Sequence, residues 1–366
     1  MISTLKELAS QQSPALARTR FEGQMNGTFW SRFTALVTVI AVFGWGEAEA
    51  AEVNIYSARQ EALIKPQLDA FTRATSIKVN LVTGDGKELM QRLRAEGANS
   101  PADLLFTTDA GNLSAAAELG LFRPVKSPAL EKAIPAAYRD PAGHWFGLGV
   151  RARPIFYVAG KVNPAELTTY EALADPKWKG RILVRSSNHI YNQSLLASII
   201  AHSGPEKAEA WARGVVANLA RKPQGGDRDQ IKAAAAGEGD IVIANSYYYA
   251  QMLASGTPEE REAARRLKVI WPNTRDRGVH VNISGAGVTR SSKNSAEAIR
   301  LLEFLVTDEA QKIYAELGQE YPVKQGVALS PELKALGEFK ADGLHLELLG
   351  KHNAEAVRIF DRVGWR

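Results

Sequence analysis

The sequence predicts an α/β protein of two lobes that close on a ligand cleft. Three observations carry this expectation. The chain has 366 residues, 45% of them hydrophobic, more than one core usually organises but ample for two lobes. Strand-like and helix-like segments alternate along most of it, the pattern of a sheet covered by helices. Two long extended segments, 145–158 and 279–288, connect the two alternating series without a flexible linker, as strands crossing a hinge would.

In order, 53–56 (VNIY) reads as a strand, 61–74 as a helix, 77–82 (IKVNLV) as a strand and 86–96 as a helix. A strand at 103–107 (DLLFT) and a helix at 110–119, stopped by Gly120, continue a doubly wound unit with parallel strands. After the first crossover come a strand at 181–184 (RILV), helices at 190–202, 205–217 and 229–236, and a strand at 241–244 (IVIA). The second crossover leads into helices at 296–307 and 308–317 and further helical sequence to Arg366. The expected division is residues 51–151 plus about 279–326 in the first lobe and 152–278 plus about 327–366 in the second.

Residues 1–50 read as an address. The uncharged apolar run 33–45 follows Arg32 and precedes Ala48-Glu49-Ala50, the A-x-A form of a signal-peptidase site. The run is short of the about 20 apolar residues that span a bilayer, so cleavage after Ala50 and work outside the cytoplasm are expected. The long, charge-mixed stretch before it places the true start at Met25.

Composition narrows the chemistry. The chain has no Cys, so disulfides, thiolate zinc sites, iron–sulfur clusters and Cys nucleophiles are excluded. The formal charge of +5 is spread thinly, which disfavours nucleic acid as a partner. No Walker loop, G-x-S-x-G elbow or H-E-x-x-H pair occurs, and Gly285-Ala286-Gly287 lies in extended sequence. His189 and His280 read as structural.

Tyr247-Tyr248-Tyr249 opens a helix at the carboxyl end of a strand, where open α/β sheets bind ligands. Asn245 and Ser246 are natural caps for that helix. Neighbouring side chains on a helix diverge by about 100°, so two of the three tyrosines can face a cleft while the third packs. Tyr191 has a similar setting after Ser186-Ser187-Asn188, whose polar groups can cap the next helix and leave an anion-binding end. Packing is the alternative for each tyrosine. A phenol ionises near pH 10, about 4 kcal/mol away from being charged at pH 7, so clustered phenolates need a strong cation. A hard trivalent ion such as Fe³⁺ suits them. Arg59, after the first strand, can hold a carbonate or carboxylate through paired hydrogen bonds, with Arg151 and Arg153 as further candidates and ion pairing as the alternative. Asp109 can orient an Arg or cap a helix.

These segments resemble the periplasmic ferric-iron-binding proteins of ABC importers, including the cyanobacterial type. The resemblance spans nearly all of the chain after residue 50, through NIYSARQ (54–60), SPADLLFTTDAGNL (100–113), WKGRILVRSSNHIYNQSL (178–195), ARKPQGGDRDQIKA (220–233), GDIVIANSYYYA (239–250) and HVNISGAGVT (280–289). It implies a two-lobed type II periplasmic-binding fold with hinge crossovers and iron in the interlobe cleft. It further implies Tyr191, Tyr247 and Tyr248 as ligands and no ligand role for Tyr249. Gln60 and Glu61 stand where many relatives carry His, or His then Tyr, and are possible additional ligands. The pattern is more similar to the subgroup that pairs three tyrosines with a synergistic anion such as carbonate or bicarbonate, for which Arg59, Arg151, Ser187 and Asn188 are possible hosts. Delivery to an ABC permease with its ATPase, by a monomer without enzymatic activity, is the implied function. A same-fold carrier of an organic anion, phosphonate or polyamine is the alternative.

Overall fold

The computed structural model describes residues 51–366; the expected leader and start at Met25 lie outside the described residues. The first series is β1 (Glu52–Ser57), α1 (Glu61–Thr75), β2 (Lys78–Thr83), α2 (Gly86–Glu96), β3 (Leu104–Thr108), α3 (Ala110–Glu118), α4 (Pro128–Ala133) and β4 (Phe146–Ala152). β5 (Ile155–Val158) and β6 (Ile182–Leu183) follow, then α5 (Ile190–Ser203), α6 (Pro205–Ala217), α7 (Asp227–Ala235), β7 (Ile241–Ile243), α8 (Ser246–Ala254), α9 (Pro258–Arg265) and β8 (Leu267–Ile270). The chain finishes with β9 (Val281–Val288), α10 (Ser295–Leu305), α11 (Asp308–Ile313), β10 (Tyr321–Pro322), α12 (Pro331–Ala335), α13 (Glu347–Lys351) and α14 (Asn353–Val363).

The strands form a six-stranded sheet ordered β10-β4-β9-β3-β1-β2 and a four-stranded sheet ordered β6-β7-β5-β8. The segment expected to be one long extended crossover is broken at Arg153-Pro154: β4 joins the first sheet and β5 the second. Proline has no N–H for a ladder, which suits the residue where the chain leaves one sheet for the other. β8 and β9 make the return passage. The expectation of parallel strands holds for β2-β1-β3, whereas β9 runs antiparallel between β3 and β4.

The glycines of β9 are explained by this insertion. A Cβ at Gly285 would lie 2.4 Å from the Phe146 carbonyl oxygen, and one at Gly287 would lie 2.4 Å from that of His144. Their role is close backbone approach. The helix expected over 308–317 is α-helical only to Ile313; Tyr314–Gly318 forms a π-turn, and Gln319 is left-handed with φ 54°. This segment leads into β10 at the edge of the first sheet.

Candidate functional site

A cleft of about 360 Å³ is lined from the first sheet's side by Arg59, Gln60, Thr107, Asn112 and Glu320 and from the second sheet's side by Asn188, Tyr191, Tyr247, Tyr248 and Gln251. Arg59 follows β1 and Thr107 lies near the end of β3, while the tyrosines occupy the first turns of α5 and α8. Both sheets therefore present their carboxyl-end junctions to one space.

The tyrosine triplet divides as helical geometry requires. Tyr247 and Tyr248 line the cleft with ring centroids 4.1 Å apart. Tyr249 turns into the second lobe's core, stacks on Phe156 at 4.6 Å and donates its hydroxyl to the Leu267 carbonyl at 2.8 Å. Tyr191 reaches the pair from α5, its phenol oxygen 3.2 Å from that of Tyr247. Burial is the main cause that raises the Tyr247 phenol well above its ordinary value, followed by Tyr191 and Tyr248 beside it. Burial and the nearby Tyr191 also raise Tyr248. Burial alone pushes Tyr249 up to about 12.

Three guanidinium groups surround the Tyr191 ring: Arg151 at 5.0 Å, Arg185 at 5.4 Å and Arg153 at 6.0 Å from its centroid. They form a cationic wall around a ring that lines the cleft, an arrangement suited to negative charge gathered there.

The predicted caps are replaced. At α5 the N-cap is His189, whose Nδ1 accepts from the Tyr191 N–H at 3.3 Å. Ser187 gives its hydroxyl to the Trp365 carbonyl at 2.5 Å and does not line the cleft, whereas Asn188 does. Asn245 stands at the N-cap of α8 without a side-chain cap bond, because its Oδ1 accepts from Arg153 Nη1 at 2.9 Å. The Ser246 hydroxyl accepts from the Ala152 N–H at 3.2 Å. Burial and nearby Arg185 push the His189 imidazole down to about 3, so it serves as a neutral acceptor.

Arg153 is a hinge residue. It binds Asp227 Oδ2 at 2.9 Å and Asn192 Oδ1 at 2.7 Å as well as Asn245. Arg151 lies behind Tyr191, outside the cleft lining, 3.8 Å from Asp109 Oδ2. Asp109 fills both roles expected of it: it caps α3 by accepting from the Gly111 N–H at 2.9 Å and faces Arg151. It also accepts the Ser194 hydroxyl of α5 at 2.6 Å, a bond across the two lobes.

Arg59 lines the cleft but is already ion-paired, its Nη1 2.8 Å from Glu320 Oε2 and 2.8 Å from Ser284 Oγ. Its Nε and Nη2 have no partner among the described residues. Gln60 lines the cleft; Glu61 is exposed on the first turn of α1 and does not. Sequence reasoning missed Glu320, Arg185 and Gln251. Glu320 is brought in by tertiary packing with no local motif to mark it, whereas Gln251, one helical turn beyond Tyr247, and Arg185, just after β6, stood within local patterns that could have found them.

Two α/β lobes joined by crossing strands, with a polar cleft between sheet edges, define a class of binding protein that closes on a solute. Residues 99–340 match the bacterial extracellular solute-binding proteins, and the chain belongs to that family. It is 46% identical over 318 residues to iron uptake protein A1 of Synechocystis, covering 87% of this chain and 88% of that one. It is 44% identical over 343 residues to iron uptake protein A2 of the same organism, covering 93% and 98%. The solved structure of Trichodesmium FutA (IdiA) in complex with iron and citrate superposes with a TM-score of 0.84 at 49% identity, covering 86% of this chain and all of that one.

Proposed function

We propose that this chain is a periplasmic carrier that captures ferric iron with the phenolates of Tyr191, Tyr247 and Tyr248 and delivers it to an ABC permease with its ATPase. The observation that carries the reading is the convergence of three phenols from two helix starts on one cleft, two of their oxygens 3.2 Å apart. Fe³⁺ balances three phenolates in charge and is hard enough to displace their protons. The iron-uptake names of the relatives support the same cargo.

A synergistic anion such as carbonate completes the coordination, held by the unpartnered Nε and Nη2 of Arg59. Residues 51–151 with about 279–326 act as one lobe, and 152–278 with about 327–366 as the other. The chain works as a non-enzymatic monomer after removal of residues 1–50.

Metal analysis and a visible spectrum of protein purified without chelator test the reading. Stoichiometric iron and a yellow-to-red band that weakens in Tyr191→Phe, Tyr247→Phe and Tyr248→Phe are expected. A colourless protein indifferent to iron would return the site to an organic anion.

A further inference from the structure

We propose that Glu320 is the first lobe's own ligand to the ferric ion, binding through carboxylate oxygen Oε1. The proposal rests on the ferric reading above and assigns a position that the three tyrosines leave open. Glu320 is 3% exposed yet lines the cleft opposite them. Its two oxygens differ. Oε2 accepts from Arg59 Nη1 at 2.8 Å and from Ser284 Oγ at 2.7 Å, whereas no donor among the described residues reaches Oε1. A carboxylate tied by one oxygen and open at the other is oriented for one-oxygen coordination, with Arg59 and Ser284 as the outer supports that fix it.

The backbone holds Glu320 against the tyrosine-bearing helix. The Gly318 carbonyl accepts from Gln251 Nε2 at 3.0 Å. Gln251 lies on α8 one helical turn beyond Tyr247, on the same face. The π-turn and left-handed Gln319 thus deliver Glu320 from the first sheet's edge to the floor of the cleft. Space has been kept for it, since a Cβ on Gly149 would lie 2.5 Å from Oε2. The other cleft carboxylate, Asp85, caps α2 through Oδ1, which accepts from the Lys87 and Glu88 N–H groups; it is exposed, and no described arginine or lysine pairs with it to orient its second oxygen or balance its charge.

Charge favours the assignment. Fe³⁺ with three phenolates is neutral, and Glu320 enters with Arg59 still attached, so a fourth anionic oxygen arrives with its own counter-charge. Hard ferric iron prefers such oxygen donors. An external anion then fills only the remaining positions.

The test is iron titration of the full mature chain against a competing chelator, with visible spectra, in carbonate-replete and carbonate-depleted buffer. Glu320→Gln should weaken ferric binding about 100-fold, within the range of changes around metal ligands. It should also shift the phenolate-to-iron band to longer wavelength in both buffers, because a neutral amide leaves the iron more electron-poor. Tyr249→Phe, which lies in the second lobe's core and keeps the whole Glu320 cradle, should leave the band where it is. Unchanged affinity and band in Glu320→Gln would overturn the proposal, as would an effect that vanishes without carbonate, which would make Glu320 only a holder of Arg59. A crystal structure of the iron-loaded wild-type chain decides independently of how the variants fold. Oε1 on the metal supports the assignment, and both oxygens on Arg59 overturn it. A band that survives all three Tyr→Phe changes would instead defeat the ferric-tyrosinate reading itself.

Discussion

Tyr247 and Tyr248 hold their protons at neutral pH because burial, with Tyr191 close to both, disfavours phenolate. Iron held by these phenols, as proposed above, would have to expel those protons, and the sign follows: ferric affinity should rise with pH and fall in acid. Calorimetry in buffers of different ionisation enthalpy should detect net proton release, and mild acid should bleach the visible band. Tyr249→Phe is the internal contrast. It should leave the band intact and cost about 1 kcal/mol of stability, through loss of its hydrogen bond to the Leu267 carbonyl. On the proposed reading, in which the guanidinium holds an anion as well as Glu320, Arg59→Ala should weaken iron binding and remove its carbonate dependence; titrations with and without carbonate check this.

His280 gives a separate pH effect. Burial, with Arg153 nearby, pushes its imidazole down to about 3, while in the unfolded chain it titrates near 6.5. The unfolded state then binds the extra proton first, so its contribution to stability is complete above about 6.5 and is lost progressively as pH falls towards 3. Denaturant unfolding of iron-free protein at pH 7.5 and 5 should show the loss, and His280→Gln should reduce it.

At the scale of elements, the strand-to-helix junctions were legible because each is written locally. β1, α1, β2 and α2 follow the hydrophobic pattern to within a residue or two, and helical angle alone says that two of the three tyrosines can share the cleft, though not which two. The caps were not legible. Asn245 has the right chemistry and position, but an arginine 92 positions earlier takes its oxygen. Glu320 was missed because its place depends on a π-turn and on Gly149 in a distant strand. Gly149→Ala should accordingly disturb the site from outside it. Its methyl would press on the Glu320 carboxylate and the Tyr314 ring, costing about 1–3 kcal/mol in the manner of overpacked cores, and lowering iron affinity with it. Thermal unfolding and iron titration on the same variant measure both.

The whole molecule joins its two sheets through β4–β5 and β8–β9, and bonds such as Ser194 to Asp109 and Gln251 to Gly318 tie the cleft walls together. Iron contacted from both walls should favour the closed arrangement. Small-angle scattering should report a smaller radius of gyration with iron than without, and identical radii would confine the site to one lobe. Alternating strands and helices announced the two-lobed plan. They did not reveal that β9 enters the first sheet backwards, because periodicity carries no information on strand direction.

That inserted strand also governs when the polypeptide acquires its shape. Ala110 donates its N–H to Asn282 Oδ1, 172 positions later, and β9 fills the place between β3 and β4. Contacts so distant in sequence form slowly, and a chain ending before residue 281 lacks the middle of its first sheet. Such a fragment should remain protease-sensitive where the longer chain resists. A polypeptide that postpones its core until so late in its length acquires its finished shape only when nearly all of it is present.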